Sequence, residues 1–228
     1  MPNLQSIVFS TDGWAFLEED DSTRKWRNAS KDALSLQYFA KQPDIPAPLS
    51  DIATIRSAFR AGVAQVGGAL VEVDVDQLEG TAVLRTIFKF PQKPHGMTYV
   101  GAWTIPRYSF SFVVKICCAE AGVTGLRDAS VMDRLLARRA SPIDPDVLMS
   151  EWARDPYEPN FRSRVLRNQS DDVEWDAAFP GHPLSRVRTC LRVIKETIRL
   201  DESVHCSASF EGPQQTSRRR WWHRIKGE

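Results

Sequence analysis

Long apolar runs are missing from this sequence. No stretch approaches the roughly 20 apolar residues of a membrane-spanning helix, so no transmembrane segment is expected. The opening MPNLQSIVFSTDGW has neither the positive start nor the sustained apolar core of a secretory signal, which makes the cytoplasm the expected compartment. An excess of charge is missing too. The formal net charge is +1, so bulk electrostatics point to neither nucleic acid nor membrane. Cysteine is scarce: Cys117 and Cys118 are adjacent and would point to opposite faces of a strand, while Cys190 and Cys206 lie far away. That spacing offers neither a disulfide framework nor a metal knuckle, and Cys118 and Cys190 read as small buried hydrophobes.

Signatures of chemistry are equally sparse. No HExxH, HxH or GxSxG occurs. The glycines at 62–68 follow a helical pattern rather than open one, and those at 122–125 lack the lysine of a phosphate loop. No cofactor and no metal are therefore expected.

What the sequence does contain is a run of alternation over 69–118, which predicts a four-stranded antiparallel meander. Val71, Val73 and Val75 alternate with Glu72, Asp74 and Asp76, so valine is expected inward and acid outward. The acids read as a solvated face paired with Arg85, Lys89 or Lys115 rather than as a cation site, because side chains along one strand diverge. After a turn at Gly80, the even positions Ala82, Leu84, Phe88 and Phe90 are apolar, with Arg85 and Lys89 on the other face. A third strand is expected over 98–105, and Phe110, Phe112, Val114, Ile116 and Cys118 line a fourth.

Around this meander the pattern is mixed. Short strands are expected over 6–9 and 34–39; between them lie a turn at Thr11-Asp12-Gly13, a second apolar pulse over 14–17 and a polar patch at 26–31. The stretch 49–66 reads as an amphipathic helix, with Ser50 as its cap and Gly67 and Gly68 at its end. A second helix is expected over 131–139 with Leu135 and Leu136 inside. The last, over 184–200, repeats Leu184, Val187, Leu191, Ile194 and Ile198 at spacings of three and four, with Arg188, Arg192, Lys195 and Arg199 on another face. Residues 140–183 read as an irregular insertion, with room for a short helix near 145–154, clamped to the domain by its aromatic residues. The expected layout is one α+β domain over 1–212, a single antiparallel sheet flanked by helices on its faces, and a disordered tail over 213–228.

Three groups of residues are candidates for function. His182, with Asp176 and Asp172 nearby in sequence, could form a base oriented by a carboxylate, or simply cap the last helix. Arg186 or Arg188 would then hold an anionic substrate. Trp152, Tyr157 and Trp175 in the insertion are candidates for contacting a protein partner, provided that they are exposed. In the tail, Arg219, Arg220, Trp221 and Trp222 combine cations with indoles, a pairing suited to an acidic protein, anionic lipid or nucleic acid, and equally found in solubilising termini.

The element order resembles that of the PsbP-like fold, which includes the Mog-type nuclear-import factors and the bacterial DcrB-like proteins. The residues carrying the likeness are Leu34-Ser35-Leu36-Gln37-Tyr38, the helix over 51–66, Phe88-Lys89-Phe90 with Tyr99-Val100-Gly101, and Phe110-Ser111-Phe112-Val113-Val114. The resemblance implies a non-enzymatic protein: an extrinsic subunit, a GTPase partner, a lipoprotein or a chaperone. The leading expectation is thus a bacterial-type interaction or adaptor protein with a protein partner. The rival is a small hydrolase or ligand-binding domain centred on His182.

Overall fold

A computed structural model describes residues 2–139 and 143–214. The strands are β1 (Ile7–Val8), β2 (Trp14–Glu19), β3 (Thr23–Asn28), β4 (Ala33–Phe39), β5 (Ala69–Leu78), β6 (Thr81–Pro91), β7 (Met97–Pro106), β8 (Ser111–Ala119) and β9 (Arg199–Leu200). Seven of them form one antiparallel sheet in the order β2-β3-β4-β8-β7-β6-β5. The helices are α1 (Ile52–Gln65), α2 (Leu126–Ala137), α3 (Pro145–Trp152), α4 (Pro183–Thr197) and α5 (Glu202–His205). The fold is α+β, with α1 on one face of the sheet and α4 on the other.

Because helices cover both faces, the alternation of the meander sorts side chains between two cores rather than between core and water. Tyr99, Trp103, Phe112, Val114 and Ile116 pack with Val187, Leu191 and Ile194 of α4. Leu84, Phe88, Phe90 and Val100 pack with Ile55, Phe59 and Val63 of α1. Gly101 permits the close approach of α4, since a Cβ there would lie 2.4 Å from Val187 Cγ1. Trp103 Nε1 then donates to Leu191 O at 3.0 Å.

Several expectations need correction. A bulge between Leu70 and Glu72 sends Val71 into the α4-side core and Val73 into the α1-side core, while Val75 stays exposed. The three valines therefore do not share a face. Lys89, expected in solvent, is buried. The strand at 6–9 does not join the main sheet: β1 pairs with β9, formed where the last helix was expected to continue. The polar patch at 26–31 overlaps β3, whose only fully buried side chain is Trp26 and whose charges pair across the hairpin as Lys25–Glu18 and Arg24–Glu19. That pairing hides a strand with almost no apolar alternation.

Helix α1 starts later than expected. Asp51 is its cap, with Oδ1 accepting Thr54 N at 3.1 Å, and Gly67 takes a left-handed φ of 78° after its end. Helix α2 begins five residues before its expected start at 131, burying Arg127 and Val131 and leaving Leu136 exposed. The short helix foreseen near 145–154 is α3, capped by Asp144. The 140–183 stretch, expected to be irregular, also contains 3-10 turns at Gln169–Asp171 and Val173–Trp175.

Candidate functional site

His182 is the cap of α4. Its Nδ1 accepts the Leu184 N–H at 3.3 Å, so the proton sits on Nε2, which lies 3.8 Å from Glu120 Oε1. The ring stands edge-on to Tyr99 at 5.3 Å. Burial, then the Arg127 guanidinium, pull its pKa down to about 4, against the opposing pull of Asp171 and Asp176. The ring is a neutral structural cap. Neither carboxylate of the expected constellation orients it: Asp176 accepts from Arg127, Arg188 and Ser185, and Asp172 pairs with Arg167.

Those aspartates belong to a buried ionic cluster that no local sequence signal announced. Asp171 is fully buried, taking Lys89 Nζ at 2.6 Å, Tyr99 Oη at 3.0 Å and Asn168 N at 3.0 Å. Burial alone would push its carboxyl up; the Lys89 ammonium and these hydrogen bonds outweigh burial and hold it below the usual carboxylate range. Two guanidinium groups complete the staple. Arg127 donates to Ser170 O at 2.6 Å, Asp172 O at 3.0 Å and Ser185 Oγ at 2.8 Å. Arg188 donates to Asp171 O at 2.6 Å and Glu72 Oε1 at 2.7 Å. Arg186 is engaged by Asp32 through both its Nε and Nη2. The arginines expected to await an anionic substrate are therefore committed within the fold. The other cations expected on this face are also paired: Lys195 of α4 with Asp76, and Arg199, which lies in β9, with Glu79.

The aromatic residues of the insertion face inward. Trp152 and Trp175 are buried around Val131, with Arg134 and Arg138 over the Trp175 ring. Their burial corrects the expectation that they offer a partner surface. Tyr157 has a different task at the edge strand β5, where its hydroxyl accepts from Val73 N at 2.9 Å and donates to Val73 O at 3.2 Å. It thus satisfies backbone groups that an edge strand would otherwise present to another chain. Arg219, Arg220, Trp221 and Trp222 lie outside the described residues.

Open space occurs instead on the outer face of the sheet. Helix α1 packs against β5 and the neighbouring part of β6, and the 41–45 segment lies over the adjoining outer face of β4, β8 and β7. The result is a groove of about 780 Å³, including the solvent at its mouth, between Phe39 and Ile45 on one side and Phe59, Phe88 and Val100 on the other. Strand register places Lys115, Ala102 and Thr86 as successive cross-strand neighbours along its floor, with Ser35 next to Lys115 on β4 and Gln37, Val113 and Thr104 in the next row. Lys115 Nζ has no ion pair or hydrogen bond among the described residues, and Gln37, Thr86 and Thr104 make no side-chain hydrogen bonds there. Burial, with Lys25 adding to it, lowers the Lys115 pKa, and Cys117 opposes the shift. The sequence signal for this site was a lysine inside an apolar alternation, Val113-Lys115-Cys117. By alternation alone that lysine is expected to pair with the acidic ladder of β5, which it does not reach.

Among the described residues no group of three or more His, Cys, Asp or Glu side chains could hold a metal ion, and no helix is long and apolar enough to cross a membrane. No family model matches the chain, and no curated protein matches it. Among solved structures, a Bacteroides thetaiotaomicron protein is similar over 51% of this chain at 8% identity, with a TM-score of 0.32. A Pseudomonas aeruginosa protein of unknown function is similar over 57% at 10% identity, with a TM-score of 0.34. The chain covers 39% of the first protein and 99% of the second.

Proposed function

We propose that this chain is a non-enzymatic binding protein that receives an apolar group in the groove on the outer face of its sheet. The observation that carries the reading is the groove itself: a concave, mainly apolar surface whose floor carries Gln37, Thr86, Thr104 and Lys115, side chains that make no hydrogen bond or ion pair among the described residues. The element order likened to PsbP-like proteins supports the same non-enzymatic class. The adaptor role expected of the insertion aromatics passes to the groove, because those aromatics are spent on packing. Around His182 the arrangement supports capping, with its neighbouring carboxylates held by arginines.

Filling the groove tests this reading. Ala102 lies on the floor of the groove and is only partly covered, so Ala102→Trp places an indole in the open volume. Nile red, a neutral apolar dye, should brighten with the wild-type protein and remain dim with Ala102→Trp at an unchanged melting temperature. Equal brightening by both proteins would remove the groove as the binding surface.

A further inference from the structure

We infer that the groove selects a small molecule with an apolar body and one carboxylate, and that Lys115 is the group that holds the carboxylate. The inference rests on the binding reading above and adds its ligand class.

The argument begins with the cost of burying charge. An ammonium withdrawn from water is expensive unless a counter-charge or hydrogen bonds replace the lost hydration. This fold meets that cost at Lys89 with Asp171, at Arg127 with Asp176 and at Arg186 with Asp32. Lys115 is also substantially covered, yet it has no carboxylate partner among the described residues. Its surroundings on balance disfavour its charge, chiefly through burial, with Cys117 opposing the shift and the like charge of Lys25 adding to it. Lys25 is itself engaged by Glu18 at 2.7 Å. Ser35, directly across from Lys115 on β4, buries an Oγ that has no hydrogen-bond partner. A carboxylate beside Lys115 would take one charge-assisted hydrogen bond from the ammonium. Its apolar body would lie along Val113, Val100 and Phe88, displacing water from surface that gains by being covered.

The chain's own C-terminal segment is a competing occupant. The described chain ends at the groove rim, where Gln42 Nε2 donates to Gly212 O at 2.9 Å and Gln214 N donates to Gln42 Oε1 at 2.9 Å. The residues that follow carry Arg218, Arg219, Arg220, Arg224 and Lys226 around the two tryptophans. Placing that density of positive charge beside Lys115 is unfavourable, so charge complementarity favours a separate anionic ligand.

The test uses the full chain and two probes with the same apolar body, decanoate and decanol, each displacing Nile red below its own aggregation concentration. Decanoate should bind wild type about tenfold more tightly than decanol, the worth of one charge-assisted hydrogen bond. Lys115→Met should bind Nile red and decanol as wild type does and lose the preference for decanoate. Lys115→Gln serves as a second neutral variant if the first does not fold. Nile red binding without a decanoate preference, or a preference that survives loss of the charge, would overturn the role of Lys115 while leaving the groove as a binding site. If Nile red binds only after Trp221→Ala and Trp222→Ala together, the groove belongs to the chain's own tail and the small-molecule assignment falls. Absence of dye binding in every variant would remove both this assignment and the binding reading beneath it.

Discussion

At the scale of single residues, His182 shows how burial turns a candidate base into a fixed cap. Its folded pKa of about 4 lies below the ordinary histidine value of about 6.5. The unfolded chain therefore binds more protons between those two values. The stability contributed by the neutral ring is complete above about pH 6.5, and is lost as pH falls toward about 4. His182→Asn keeps an acceptor for the Leu184 N–H and has no titration of its own. Melting curves at pH 7 and pH 4.5 should show a larger loss for wild type than for His182→Asn. Equal losses would mean that the ring does not govern this part of the acid response. Lys115 shows the complementary case, a titratable group that the described fold covers without supplying a counter-charge.

Between elements, one ionic cluster ties the 168–176 segment to the sheet, α2 and α4. Its centre is Asp171, joined to Lys89 of β6 and Tyr99 of β7, while Arg127 of α2 and Arg188 of α4 hold the segment's carbonyls. Asp171→Asn leaves the Lys89 ammonium buried beside a neutral amide. Breaking such a pair costs about 3–5 kcal/mol, which for a domain of this size lowers the melting temperature by roughly 10 °C. Adding Lys89→Met to Asp171→Asn should restore more than half of that loss, because the uncompensated charge disappears. A single substitution with almost no effect on the melting temperature would show that the segment is held by its aromatic packing alone. A second set of contacts joins α4 to β5, where Arg188 meets Glu72 and Lys195 meets Asp76. The regular acidic alternation of β5 thus acts as a docking edge for a helix more than 100 residues later in the chain.

Over the whole molecule, the sheet is thick at one end and thin at the other. Strands β6, β7 and β8 lie between two apolar cores, whereas β2 is exposed along nearly its entire length and Phe16 is largely solvent-facing. Native-state hydrogen exchange should find the β2–β3 hairpin opening at markedly lower free energy than β7 and β8. Protection of Trp26 comparable to that of Val100 and Val114 would show that the sheet opens as one unit. Strand alternation over 69–118 and helical spacing at Ile55, Phe59 and Val63 and at Leu184, Val187 and Leu191 were legible in the sequence, because burying an apolar face imposes a local period. The α+β class and the two helix-covered faces follow from those periods. The fate of each charge did not follow. Lys89 and Lys115 both interrupt apolar alternations, yet Lys89 meets an aspartate 82 positions away, and Lys115 faces an open groove. Periodicity fixes which side of a strand a residue occupies, but its partners depend on strand order and on where distant segments return. Only the tertiary structure placed β4 beside β8 to form the groove floor, and brought Asp171 to Lys89.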